Sequence, residues 1–301
     1  MSYVPVASSV EEGEGSSVGN SASYFSCFSS IFSRLKASFS NVSNRVTSCC
    51  PSFDPKSQTG RVLIAILASY LVASLVVPPR GYYEPSDLAL LRIGSVSMDY
   101  VQCVACGYLH ELRRLVVPIF LHLSPIHLLL NSLFIFSAGP EPERILGPKK
   151  FLLLILLSGL FANLLQAAVG TQLAVGASTS CFGILGWDCM RTYSSWPRMS
   201  DMERLSNKLR LRNIAIYCLV WELMNWDSIA HWGHFGGLVG GVCLEGIWSE
   251  PNSPRDRKIK ITSQIVYFAT ILASAGILFT PVLLNFQFFR KVCWELQEVY
   301  V

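Results

Sequence analysis

Charge is what this chain has least of. Asp, Glu, Lys and Arg make up 15% of its 301 residues, where a soluble domain usually carries about 25%. With 51% hydrophobic residues and a mean hydropathy of +0.41, that scarcity excludes a disordered chain and an ordinary soluble enzyme. No cleavable signal is visible, because residues 1–20 are small, polar and acidic (Glu11, Glu12, Glu14) without a basic start and an apolar core. They read as a disordered tail, and their acidity argues against a mitochondrial presequence. The net charge of +4 is small and scattered, which excludes nucleic acid as an expected partner. The ten cysteines show no framework spacing, and most lie in or beside apolar runs, where Cys acts as a small hydrophobe. The zinc-protease motif HExxH is also missing, since His110-Glu111 runs into Leu112, Arg113 and Arg114.

What the chain has instead is long uncharged stretches. Seven apolar segments, 62–79, 115–138, 151–170, 172–190, 212–226, 229–248 and 262–286, approach the roughly 20 residues that span a hydrocarbon core. The expected fold is all-α, a polytopic membrane helical bundle. Pro118 and Pro125 make the start of the second segment ambiguous, and the fifth is short. Ahead of the spans, Phe25, Phe28, Phe32, Leu35, Phe39, Val42 and Val46 form one helical stripe among basic and serine residues. That pattern predicts an amphipathic helix lying on the lipid bilayer. Cys49 and Cys50 are juxtamembrane candidates for palmitate. With the N-terminus cytosolic, 18 of the 24 Lys and Arg fall on the cytosolic side, so residues 80–114 and the tail after 287 are expected on the exterior or lumenal side. Cys103 and Cys106 then face an oxidising compartment, where they can pair with each other or stay free.

In this topology all five histidines (His110, His122, His127, His231, His234) lie in or near the outer half. An ionisable residue inside a membrane suggests function. The fourth segment carries Ser178 and the sixth carries His234, both descending from the outside to similar depth. Gly176, Gly183 and Gly186 on one, and Gly237 and Gly241 at GxxxG spacing on the other, let the two backbones approach closely. A serine so placed can lose its proton to a neutral histidine. Asp188 lies ten residues past Ser178, about 15 Å deeper along the helix, so it is expected to pair with Arg191 and not to form a triad. His127 and Asn131, four apart on one helical face, can supply an oxyanion hole together with the Ser178 N–H. Glu222 and Glu245 stand in apolar segments with no role that spacing assigns.

The order and spacing of these residues resemble the rhomboid family of intramembrane serine proteases over roughly 110–241. His110-Glu111-Leu112-Arg113-Arg114 through Pro118-Ile119-Phe120-Leu121-His122 is similar to the family's first-loop signature, with Arg113 in place of a usual Trp and Val117 in place of a usual Thr. His122-x4-His127-x3-Asn131, Gly139-Pro140 with Glu143 and Gly147, and Ser158-Gly159 with Asn163 resemble the second and third helices. Gly176-x-Ser178 and His234-x2-Gly237-x3-Gly241 resemble the catalytic motifs, with Thr179 replacing a usual glycine. The resemblance implies Ser178 as nucleophile, His234 as general base and His127 and Asn131 in the oxyanion hole. Phe182 would lie against the imidazole, with Gly176, Gly237 and Gly241 in support. It implies no cofactor and no metal, and substrates that are single-span transmembrane proteins cut near the outer face. The short fifth segment looks like the family's lateral gate, with Trp226 and Asp227 in a cap.

Six core spans plus one at the C-terminal end resemble the eukaryotic secretory-pathway branch. The expected partition is a cytosolic tail with the interfacial helix over 1–60, a six-helix core over 61–250, and over 251–301 a loop, the seventh span and a short outer tail. The secretory pathway or plasma membrane is the expected location. The competing readings are an inactive rhomboid-like protein that binds membrane clients, a polytopic transporter whose path would include His127, Asn131, His231, Glu222 and Glu245, and a metal-dependent intramembrane protease ligated by His231 and His234.

Overall fold

A computed structural model describes residues 53–76, 85–170, 172–224 and 229–298. The stripe at 25–46, Cys49, Cys50, Trp226 and Asp227 lie outside the described residues. Eleven helices follow one another among those that are described, and together they form a helical membrane bundle.

The first helix, α1 (Gln58–Val76), starts on a carboxylate. Glu143 accepts hydrogen bonds from the Gln58 and Thr59 N–H groups and from the Thr59 hydroxyl at 2.7–2.9 Å, which answers helix donors that have no partner of their own. Between α1 and the next span lie two short helices, α2 (Asp87–Ile93) and α3 (Met98–Gln102), and three 3-10 turns over 103–106, 109–115 and 117–120.

This irregular segment is organised by a buried ion pair. Arg114 Nε donates to Glu111 at 2.6 Å, both side chains are fully buried, and Arg114 also donates to the Leu91 and Ser95 carbonyls while lying over the Tyr100 ring. A buried pair needs such extra partners to offset its desolvation.

The second expected segment is therefore only half a span. Its first part, 115–124, is turn and extended chain, and α4 (Pro125–Ala138) begins where Ser124 caps the His127 N–H and Pro125 occupies the first helical position. Next come α5 (Pro140–Leu146) and α6 (Pro148–Val169). Helix α6 is the centre of the bundle, with Phe151, Leu154, Ile155, Ser158, Gly159 and Phe161 all buried.

The fourth segment also starts late. Residues 172–177 are not helical, and Val96 and Ala174 join there in an isolated bridge, so α7 runs over Ser178–Ser195. Helix α8 (Asp201–Met224) begins eleven residues before the apolar stretch at 212 because Ser200 and Glu203 form a capping box. The Ser200 N–H and hydroxyl hold the Glu203 carboxyl below its ordinary pKa.

Helix α9 (His231–Trp248) crosses α7 at glycines. A Cβ at Gly241 would overlap the Gly183 carbonyl, and one at Gly186 would overlap the Leu238 carbonyl. Helix α10 (Pro254–Leu284) packs on α6 and α9. The expected short tail is instead α11 (Phe286–Glu298).

By length and composition, α1, α6 and α10 each contain a stretch able to cross a membrane. The shorter α4 and the glycine-rich or polar α7, α8 and α9 complete the bundle around α6.

Two pairings differ from expectation. Cys103 is disulfide-bonded to Cys293 of α11, and Cys106 is free. Asp188 pairs with Arg210 of α8, while Arg191 lies 3.9 Å from Glu245.

Candidate active site

Ser178 is the first residue of α7 and His234 lies in the first turn of α9. Their common depth follows from two helices that start at the same end of the bundle. The glycine crossing sets their separation, since a Cβ at Gly237 would overlap the Thr179 carbonyl. Ser178 Oγ and His234 Nε2 are 2.8 Å apart, a hydrogen bond. Phe182, one turn into α7, stacks on the His234 ring at 4.5 Å and 14°. Ser178, His234 and Phe182 are thus brought together, with Gly237 and Gly241 at the helix crossing beside them.

The approach to Ser178 is fixed from behind. Gly176 has φ +130°, a region that favours glycine, and its N–H donates to the Pro118 carbonyl at 2.9 Å. A Cβ there would stand 2.7 Å from His127 Cε1, so the glycine also makes room for the imidazole. His122 is fully buried and accepts the Ala177 N–H at 3.4 Å, tying the turn before α7 to the turn before α4.

His127 and Asn131 sit on the α4 face that looks toward this turn. His127 Nδ1 accepts the Leu123 N–H at 3.5 Å, an arrangement that puts the ring hydrogen on Nε2, beside Gly176. Asn131 Nδ2 donates to the His127 carbonyl at 3.1 Å, and its oxygen accepts from the Cys181 thiol. One amide hydrogen of Asn131 is therefore spent within its own helix, and the second can be offered outward. A cavity of about 370 Å³ runs along this face, lined by His127, Asn131, Ser178, Phe182, Cys218 and His234. His110 lies elsewhere, beside Gln297.

Sequence spacing leaves Glu222 unassigned, and the fold brings it into this group. Its Oε1 meets His234 Nδ1 and its Oε2 meets His231 Nδ1. A carboxylate inside an apolar segment is the signal that marks it. Its partners lie nine and twelve residues away on a different helix, beyond what periodicity can assign. Among the described residues, no three His, Cys, Asp or Glu side chains are arranged to hold a metal ion.

Fold and site define a polytopic helical membrane protein in which a serine, an imidazole and a carboxylate meet beside a cavity among the helices. The Rhomboid domain family profile matches residues 109–251. Rhomboid-like protease 2 of Toxoplasma gondii is 30% identical over 249 residues, covering 76% of this chain and 80% of that protein. Rhomboid-like protease 3 of the same organism is 29% identical over 61% of this chain. The chain spans 66% of that relative's length, just under two thirds. Inactive rhomboid protein 2 of Homo sapiens is 27% identical over 56% of this chain and 19% of its own length. This chain belongs to the rhomboid family. It is an integral membrane protein, either an intramembrane protease or a rhomboid-like protein of the same fold.

Proposed function

We propose that this chain is an intramembrane serine endopeptidase that cuts single-span transmembrane proteins near one membrane face and releases their ectodomains. The observation that carries the reading is the 2.8 Å hydrogen bond between Ser178 Oγ and His234 Nε2. A serine hydroxyl needs a base within such reach. In this reading Ser178 attacks the scissile carbonyl while His234 takes its proton. Negative charge develops on the substrate oxygen near the Ser178 N–H, His127 Nε2 and the outward hydrogen of Asn131. The Ser178 N–H is one of the α7 donors left without an intrahelical partner, and the N-terminal end of the helix dipole favours an anion there. His234 then protonates the leaving amine, and water releases the acyl group from Ser178. The cavity between α4 and the α7–α9 pair supports an extended peptide reaching Ser178 from the lipid side, past α8. A substrate helix with small residues unwinds most readily to do so.

The exterior side, in this proposal, is the one that carries the 85–124 segment and α11. Two independent features support it: the Lys and Arg bias, and the Cys103–Cys293 disulfide, since disulfides persist in oxidising compartments such as the secretory pathway or the cell surface. We read 61–250 as the proteolytic core. The test is expression with a panel of tagged single-span proteins, beside Ser178→Ala and His234→Ala. Shed ectodomain is expected from the wild type and should fall to background in both variants. Equal shedding from wild type and Ser178→Ala would defeat the serine mechanism. Binding of clients without shedding would favour the inactive, client-binding alternative.

A further inference from the structure

We propose that Glu222 is a positioning residue for His234, so that the pair of the preceding reading works as a Ser178–His234–Glu222 triad with its third member on a different helix, α8. The inference rests on the protease reading and deepens it. For His234 Nε2 to receive the Ser178 proton, that nitrogen must present a lone pair, and the ring hydrogen must then sit on Nδ1. Nδ1 is in hydrogen-bond contact with Glu222 Oε1, an acceptor that fixes this tautomer and faces the positive charge the ring acquires during the reaction. The other carboxylate oxygen is held by His231 Nδ1 at 2.5 Å, so Glu222 is oriented from both ends and its burial among apolar helices is compensated. Phe182 packs flat on the ring. The imidazole is therefore held in plane by an aromatic face and in rotation by a carboxylate.

Neither other carboxylate on the neighbouring helices can take this part. Asp188 is bound to Arg210. Glu245 lies eleven residues beyond His234 on α9, about 16 Å along the helix, and is near Arg191. Because Glu222 belongs to α8, the ring is held in its productive orientation only while α8 is docked against α9.

The test uses the full chain purified into lipid nanodiscs with a tagged single-span substrate, measuring kcat, KM and thermal unfolding for wild type, Glu222→Gln, Glu222→Asp and Ser178→Ala. Glu222→Gln keeps the shape and removes the charge. It is expected to lower kcat by about 100-fold or more, within the span of positioned proton transfer, with KM and unfolding temperature close to wild type. Glu222→Asp restores a carboxylate and is expected to recover part of that kcat. Wild-type kcat in Glu222→Gln would overturn the proposal. So would a loss matched by a fall in unfolding temperature and left unrelieved by Asp, since that is the mark of a structural role. Cleavage by the wild type that Ser178→Ala also performs would sink the protease reading itself, an outcome distinct from either.

Discussion

The cavity beside Ser178 lies between α4 and the α7–α9 pair, and is touched at its margins by the end of segment 85–124 (Leu123, Ser124) and by Cys218 of α8; those two flanks are held by different physics. The first is fastened at every level. Glu111 and Arg114 are fully buried and bonded to each other, Arg114 reaches two backbone carbonyls, Cys103 is covalently joined to α11, and Gln297 of α11 donates to Glu111 at 2.9 Å. Helix α8 leaves Ile216, Leu219, Val220 and Leu223 exposed, and little of its described backbone lies close to another helix, whereas α7 and α9 run close together over much of their length. It is linked by side chains: Arg210 to Asp188 at one end, Glu222 to two histidines at the other. One flank is built as a fixed wall. The other rests on the bundle through a few side-chain links, and in the proposed protease reading it is the flank that would yield to a substrate helix.

The most damaging way to probe the wall is to leave its buried charge alone. Arg114→Ala removes the fully buried cation from Glu111 and leaves it Gln297 and the more distant Arg113, and removing one partner of a buried pair typically costs about 3–5 kcal/mol. The expected result is a large fall in unfolding temperature or a failure to yield folded protein. Arg210→Ala, at a partly exposed pair, should fold. Similar losses from the two would erase the contrast between the flanks.

A smaller loss is expected from Cys103→Ser or Cys293→Ser. The bridge closes a separation of 190 residues, and long cross-links typically stabilise by about 2–4 kcal/mol. Each single variant and the reduced wild type should unfold at the same lowered temperature. A variant with wild-type unfolding temperature would show that α11 and the loop are held together by Gln297 and packing alone.

How much of this was legible beforehand depends on how far apart the partners lie. The site could be read because its parts carry local signatures. Gly176 two residues before Ser178, and Gly237 and Gly241 after His234, announce close helix approach, and the four-residue step from His127 to Asn131 fixes a face. Two further features had readable signals of the same local kind. Ser200 and Glu203 form a capping box that starts α8 at 201, and Phe286, Phe289, Cys293 and Leu296 recur at helical spacing in α11. What local pattern does not contain is pairing across the fold. Nearness in sequence favours Cys106 for Cys103 and Arg191 for Asp188, yet packing selects Cys293 and Arg210. Glu222 shows the same limit, because an acid in an apolar segment declares that it has a partner without naming it.

The finest test of the comparison disturbs stability least. Arg210 and Asp188 are both partly exposed and joined through two guanidinium nitrogens, so the loss of this pair should cost less than that of the fully buried one and Arg210→Ala should shift unfolding less than Arg114→Ala. Its effect on admission should be selective. A fluorophosphonate small enough to reach Ser178 through the existing cavity does not need α8 to move, whereas a transmembrane helix does. Loosening the Arg210 end should therefore raise cleavage of a single-span substrate by a few-fold while the rate of Ser178 labelling stays within about twofold. Glu222 remains docked at the other end, so His234 keeps its orientation and the labelling rate reports that directly. If cleavage and labelling change in parallel, the ion pair acts on the site itself, and α8 belongs to the fixed wall after all.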